Sequence, residues 1–418
     1  MNDATNCYDP NKNPSLLSVE QTLQNIENGI HPLSNTKSLA IREALGHVLA
    51  KEVISDINVP PHRNSAMDGY AIKFSDINNN PDEVLTIVGK SFAGEPYNGD
   101  VNAGQCVRIM TGAMMPAGCD TVIMQEQAEK QDDVITVNGS HQAEENVRFP
   151  GEDIKQGDVV LQPGKKISPA DLGLLSSIGI AEITVYCKPK VAFFSTGDEL
   201  KSLGEKLGPG DIYDSNRYTL YGMLKQMDVE IIDLGVIADK KELIKQTLVD
   251  AAEKADIVIT SGGASVGEAD YISAILNEIG SVNFWKIAMK PGKPLAFGHI
   301  NQTPFFGLPG NPVSVMATCY LFVQPAIQLL KGINHREQLK LSAKLENNLK
   351  KAPGRTDFQR GIFTQQENGE LSVSTTGMQG SHILTSMSLA NCFIVLPRDT
   401  GNVSEGERVE ILPFNDIL

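Results

Sequence analysis

Four loops between residues 190 and 330 carry the side chains best suited to chemistry. Ser195-Thr196-Gly197-Asp198-Glu199 follows an apolar run at 191–194. Asp239 follows a second run at 230–236, and Asp270 ends a loop that begins at Ser261 after a third run at 257–260. If the three runs are parallel strands of one sheet, all three loops emerge at one rim. Glu199, Asp239 and Asp270 could then converge as oxygen ligands for Mg²⁺, a hard cation that takes carboxylates together with substrate phosphate. Two of these acids have a structural reading as well. Asp239 with Glu242 fits a helix-capping pair, and Asp270 stands where a cap for a helix over 271–279 belongs. Glu199 precedes no helical pattern and lies in a Gly-flanked loop, which favours a chemical role.

The third loop, Ser261-Gly262-Gly263-Ala264-Ser265-Val266-Gly267, is Gly-rich. Such loops expose backbone N–H groups to phosphate at a helix N-terminus. It matches neither GxxxxGK[ST] nor GxGxxG, and a tight turn explains it equally well. The fourth loop is sharper. In an extended 285–290 segment, Lys286 and Lys290 face the same side. Pro291-Gly292-Lys293-Pro294 then turns the chain and adds Lys293. Lysines beside apolar strand residues in an acidic protein favour an anion site over a solvated basic loop. Residues 308–314, Leu-Pro-Gly-Asn-Pro-Val-Ser, offer another cradle of backbone N–H groups, or a plain helix start with Asn311 as cap and Pro312 in first position.

The framework around these loops is legible from periodicity. From residue 190 strand-like and helix-like patterns alternate, which implies a largely parallel sheet with helices on both faces. Ligands of such sheets bind beyond the carboxyl ends of the strands. Upstream, 17–29 reads as a helix capped by Ser18 with Gln21, and 41–53 as a second helix with Leu45, Val48 and Leu49 on one face. Short strand-like runs at 84–88, 107–110, 121–124 and 134–137 mark a small β domain. Helix returns at Ser168-Pro169-Ala170-Asp171. The segments on either side of the β domain are expected to pack together, making it an insertion. After Gly332 the helical signal stops, and 339–418 reads as a small barrel or sandwich.

Bulk numbers set the outer limits. A 418-residue chain, 41% hydrophobic and 21% charged, is a folded multidomain protein. Its net charge of −15 argues against non-specific nucleic-acid binding and requires any anion site to concentrate positive charge locally. The 6 cysteines are scattered without a CxxC, so no zinc site is legible and a reduced, cytoplasmic setting is expected. The first residues, 1–14, are polar and lack an apolar h-region, so no signal peptide is expected. The longest uncharged run, 313–330, contains Ser314, Thr318, Gln324 and Gln328, so a buried helix suits it better than a membrane span.

Several stretches together resemble the molybdopterin molybdenumtransferase family, whose members include the E domain of gephyrin. They are SAMDGYA (65–71), MTGAMMPAGCDTVIMQE (110–126), GEDI (151–154), FSTGDEL (194–200), SGGASVGEADY (261–271), KPGKP (290–294), GLPGNPVS (307–314) and GRTDFQRG (354–361). They recur in the family's order and cover the chain from about residue 16 to the end. Ala264 stands where valine is more usual, and His62-Arg63 lie where the family varies.

The resemblance implies an α/β and β multidomain fold in four parts. These are a helical linker domain (1–54 and 154–187), an inserted β domain (55–153), an α/β substrate-binding domain with a mostly parallel sheet (188–334) and a C-terminal β-barrel domain (335–418). It implies a homodimer whose site lies between the α/β domain of one subunit and the β domains of the other. The implied reaction inserts molybdate into adenylylated molybdopterin, with Mg²⁺-dependent release of AMP. Carried over by motif, Glu199 and Asp270 are the metal and phosphoanhydride carboxylates, with Asp239 a third. Ser265, Lys286, Lys290, Lys293 and Pro294 hold the anionic substrate, and Arg355 and Ser381 contact molybdate. Asp68, Thr111, Arg148 and Asp153 are the contribution of the inserted domain. The alternative is a receptor-anchoring scaffold of the gephyrin E domain type, which would not need the acids and lysines that are present.

Overall fold

The computed structural model of the chain describes residues 16–78, 83–262, 269–333 and 338–414. The contacts divide it into two compact units, one spanning 38–185 and the other made of residues up to 37 together with 186 onward.

In the 38–185 unit, a six-stranded sheet runs in the order Thr121–Met124, Gly69–Ile72, Gln105–Ile109, Val84–Ser91, Val134–Val137, Ala128–Gln131. Alternate residues of these strands feed two separate apolar clusters, one around Ala71, Val107 and Val122, the other around Tyr70, Cys106 and Ile123. That is the period-2 signature of strands covered on both faces. A third cluster joins Ala44, Leu49 and Val53 to Ile154, Leu161 and Leu175, so the segments flanking the sheet do share one core. The expected 41–53 helix does not form. Only Ile41–Glu43 makes a 3₁₀ turn. Gly46 then takes φ +79°, and Val48 and Leu49 bridge to Lys166 and Val185 as extended chain. Helical spacing of apolar residues was misleading here because burial is supplied by strand-like partners from 160–185. The helix Pro169–Ser177 forms as its Ser168 cap and Pro169 lead one to expect, with a complete capping box to Asp171.

The second unit is built on a sheet ordered Glu230–Ile237, Lys190–Thr196, Ile257–Ser261, Thr303–Leu308, Pro294–Ile300, Gly280–Lys286. The first four strands are mutually parallel, and Pro294–Ile300 pairs antiparallel with both of its neighbours, Thr303–Leu308 and Gly280–Lys286. Val191 and Phe193 pack on one face with Leu220, Leu224 and the Pro312–Leu330 helix. Ala192 and Phe194 pack on the other with Ile244, Leu248 and Ile275. The helix Val19–Asn28, closed by the Ser18–Gln21 capping box, belongs to the first of these cores through Val19 and Ile26. It therefore joins the α/β unit, contrary to the expectation that it helps form a helical linker. Pro312–Leu330 is largely buried and contains a π-helical turn, Cys319–Val323, just before Pro325, which has no N–H to donate.

Five C-terminal strands, Thr356–Gln365, Leu371–Thr375, Leu341–Leu345, Arg408–Pro413 and Cys392–Leu396, close into a barrel through pairing of the first with the last. A short helix, Leu384–Leu389, interrupts the expected all-β reading. Phe358, Met387, Phe393 and Leu412 of the barrel lie in the same buried cluster as Phe306, Val313 and Phe322. One continuous core thus fixes the barrel to the α/β sheet.

Candidate active site

Where the barrel meets the sheet, a cleft of about 810 Å³ opens, lined by residues from five loops. Glu199 comes from the turn after Lys190–Thr196. Met289, Lys290, Gly292, Lys293 and Pro294 come from the lysine loop, and Pro309, Asn311 and Ser314 from the start of the Pro312–Thr318 helix. Arg355 and the Gln379-Gly380-Ser381 segment come from the barrel. Six of the residues singled out in the sequence thus share one cavity: Glu199, Lys290, Lys293, Pro294, Arg355 and Ser381.

The lysine loop works differently from the extended segment expected. Gly280–Lys286 is an edge strand of the α/β sheet, with Lys286 opposite Pro294. By Met289–Lys290 the chain has crossed to the barrel, pairing in parallel with Thr356 and Asp357. Lys286 and Lys290 therefore lie in different sheets, and only Lys290 and Lys293 line the cleft. Lys290 Nζ is 3.5 Å from Asp357 Oδ2, and Asp357 is also held by Gln359 Nε2 at 3.2 Å. The lysine side chain is 48% exposed and the aspartate 6%. Water screens such a pair, so it tethers the ammonium group weakly and leaves it able to meet an anion. Lys293 and Arg355 make no ion pair among the described residues. In a protein of net charge −15, the described lining residues set three cations against one carboxylate, a local positive excess.

The acids are arranged less symmetrically. Asp239 does not cap the following helix, whose N-cap is Lys240 and whose start has no side-chain cap. Its carboxylate accepts a short hydrogen bond from Thr196 Oγ1, and its N–H donates to Asp198 Oδ1 at 3.3 Å. Asp239 thus ties together the first two strand-end loops and is not among the cleft-lining residues. The helix Ala269–Ile279 begins before Asp270, which places that residue in the first turn and not at the cap position. The Asp270 side chain and all of Ser265 lie outside the described residues. Ser195 and Ser261, facing each other in register at the strand ends, have buried hydroxyls without partners among the described residues.

In the 38–185 unit, Asp68 accepts from both the N–H and the hydroxyl of Thr111, each at 2.8 Å. These bonds hold its carboxyl below the usual range. Arg148 and Asp153 line a separate cavity of about 450 Å³ with Pro60, Asn64 and Glu152. The Asn64 Oδ1 there is buried and has no partner among the described residues.

Sequence reasoning missed what holds the barrel's limbs of the cleft. Lys351 is buried, and its ammonium donates to the carbonyls of Thr400 (2.8 Å), Arg398 (3.3 Å) and Ala352 (3.4 Å). That pins the turn preceding Arg355. Arg360 and Gln379 do the same beside Ser381. Arg360 falls within the GRTDFQRG stretch, but no spacing rule marks a basic residue as buried.

Comparisons with known proteins agree along the whole chain. Residues 17–179 match the family described as MoeA N-terminal region (domain I and II), 192–329 a probable molybdopterin binding domain, and 342–414 the MoeA C-terminal region (domain IV). A molybdopterin molybdenumtransferase of Haemophilus influenzae is 46% identical over 96% of this chain and 100% of its own length. Gephyrin of Dictyostelium discoideum is 34% identical over 96% of this chain and 61% of the relative. Among solved structures, a molybdopterin biosynthesis MoeA protein from Pyrococcus horikoshii superposes with a TM-score of 0.84 at 30% identity, over 96% of this chain and 100% of that one.

Proposed function

The chain belongs to the molybdopterin molybdenumtransferase family, and on that premise we propose that its cleft inserts molybdate into adenylylated molybdopterin with release of AMP. It is a transferase of molybdenum cofactor biosynthesis. The observation that carries the finer reading is the sharing of one cleft by Glu199 with Lys290, Lys293, Arg355 and Ser381. Molybdate is a tetrahedral dianion, and lysine and arginine donors neutralise and orient its oxygens. The dithiolene sulfurs that receive the metal belong to the substrate. Accordingly no protein thiol is needed, and the buried Cys106, Cys119, Cys319 and Cys392 are kept protonated by burial, their thiols pushed up to about 12. Free thiols are also in keeping with the reduced, cytoplasmic setting we propose.

Among the described residues no trio of His, Cys, Asp or Glu is assembled as a metal cage. Mg²⁺ does not require one, since it keeps several waters and takes one or two carboxylates plus substrate phosphates. The oxygen-only donor set fits, with Glu199 in the cleft and Asp270 at the head of the helix after Ile257–Ser261 as the residues to hold it. When bound, the ion would stabilise charge developing on the phosphate oxygens as the anhydride opens. Glu199 would orient the phosphates, while Lys290, Lys293 and Arg355 hold molybdate against the dithiolene. Homodimerisation, with Asp68, Thr111, Arg148 and Asp153 serving the opposite subunit, belongs to the same proposal. The scaffold reading finds less support, because receptor anchoring does not call for this charge arrangement.

The test is incubation of the purified protein with adenylylated molybdopterin, Mg²⁺ and molybdate, following AMP and transferable cofactor. Stoichiometric appearance of both is expected. Intact adenylylated substrate after prolonged incubation would refute the reading.

A further inference from the structure

Arg360 is 1% exposed, among the most buried large side chains of the molecule, and makes no ion pair among the described residues. Burying a charge without a carboxylate is costly, so the partners it does have are informative. Its Nη2 donates to the Gly380 carbonyl at 3.1 Å, and its Nε to Ser386 Oγ at 3.0 Å. Ser386 Oγ in turn donates to Ile383 O at 2.6 Å. One guanidinium therefore spans the segment that presents Ser381. Its backbone is used as well. Arg360 N donates to Gln379 Oε1 at 2.8 Å, and Gln379 Nε2 donates back to Arg360 O at 3.1 Å. From the opposite side, Val313 N–H at the start of Pro312–Thr318 donates to Ser381 O at 3.1 Å.

A trans peptide directs its N–H opposite to its C=O. With the Gly380 carbonyl turned onto Arg360, the Ser381 N–H points away from it. That N–H has no hydrogen-bond partner among the described residues, and Gly380 and Ser381 both line the cleft. We propose that Arg360 is a positioning residue for molybdate binding: from inside the barrel it turns the Gly380–Ser381 peptide so that the Ser381 N–H and hydroxyl face the oxyanion. The guanidinium also places a fixed positive charge behind the cleft. This rests on the assignment of the cleft to molybdate.

The experiment compares full-length Arg360→Gln and Arg360→Lys with the parent protein. Molybdate affinity is read by calorimetry, the molybdate KM and kcat from AMP release, and folding by circular dichroism and Tm. In Arg360→Gln the molybdate Kd is expected to rise on the order of tenfold, the loss of about one well-placed hydrogen bond. KM should rise more than kcat falls, and Arg360→Lys should recover part of the affinity. A folded Arg360→Gln with the parent Kd overturns the proposal. Should Arg360→Gln not fold, Arg360→Lys decides: an intermediate Kd supports the proposal and a parent Kd refutes it. Arg355→Ala and Lys293→Ala are measured alongside. Parent affinity in both would remove the molybdate cleft, and this inference with it, whereas weakened binding there with none in the Arg360 variants defeats the inference alone.

Discussion

Lys290 and Asp357 face each other across adjacent parallel strands, Met289–Lys290 and Thr356–Gln365, with Nζ 3.5 Å from Oδ2. This pairing is where the α/β unit's lysine loop is stitched to the barrel. It explains how a residue four positions from Lys286 ends in a different sheet. The buried aspartate gives the half-exposed lysine a resting place at the cleft without neutralising the whole site, since Lys293 and Arg355 share the same cavity.

Lys290→Ala is expected to weaken molybdate binding by about 1.5–3 kcal/mol, the worth of a hydrogen bond to a charged group. That corresponds to roughly a ten- to hundredfold higher Kd. Calorimetry with molybdate measures it directly, and an unchanged Kd would exclude Lys290 as an anion contact.

Glu199→Gln should leave the fold intact, since the side chain lies at the surface of the cleft, where substitutions usually change stability by no more than about 0.5 kcal/mol. AMP release from adenylylated molybdopterin should fall on the order of a hundredfold or more, as when one group stabilising transition-state charge is removed. Normal turnover across a Mg²⁺ titration would take the metal role away from Glu199.

Stability should also depend on pH through Asp171. Burial alone would raise its carboxyl, but Lys165 Nζ at 2.5 Å and two bonds from Ser168 outweigh that and leave it below 3.8. A depressed carboxylate stabilises the fold above its unfolded pKa, and that stabilisation is lost as pH falls through the folded value. Asp171→Asn is expected to cost on the order of 1 kcal/mol at pH 7, mostly as a lost cap, because the exposed Lys165 is screened. The Tm gap to the parent should close as the pH drops below 3.8. A gap that stays constant to lower pH would show that the ionised carboxylate is not the stabilising species.

Gly69→Ala tests the sheet that carries Asp68. A Cβ at Gly69 would sit 1.9 Å from the Ile123 carbonyl oxygen, in the strand with which Gly69–Ile72 pairs. Neither backbone can yield without losing ladder bonds, so destabilisation of roughly 1–3 kcal/mol or more is expected. A denaturant midpoint equal to the parent's would mean that the strands separate at no cost.

What lay in the sequence alone was local. Short unbroken apolar runs at 191–194 and 257–260 marked two of the sheet's central strands. The Ser18 and Ser168 boxes marked helix starts, because a cap and its partner three residues away are neighbours in any context. Strand ends named the loops that could carry chemistry, and ordered motifs named the family. What only the tertiary structure decided was convergence. Residues 199, 290, 355 and 381 meet because a shared core runs from Phe306 to Phe393, and no short-range pattern encodes contacts over that separation. The same holds for the failures. Residues 41–53 have helical spacing but find strand partners from 160–185, Asp239 binds a threonine 43 positions away, and Arg360 hides a charge that spacing alone would put in water. Local sequence sets propensity at the scale of a turn, whereas burial and partner choice are settled by long-range packing, which is worth more free energy per residue than propensity.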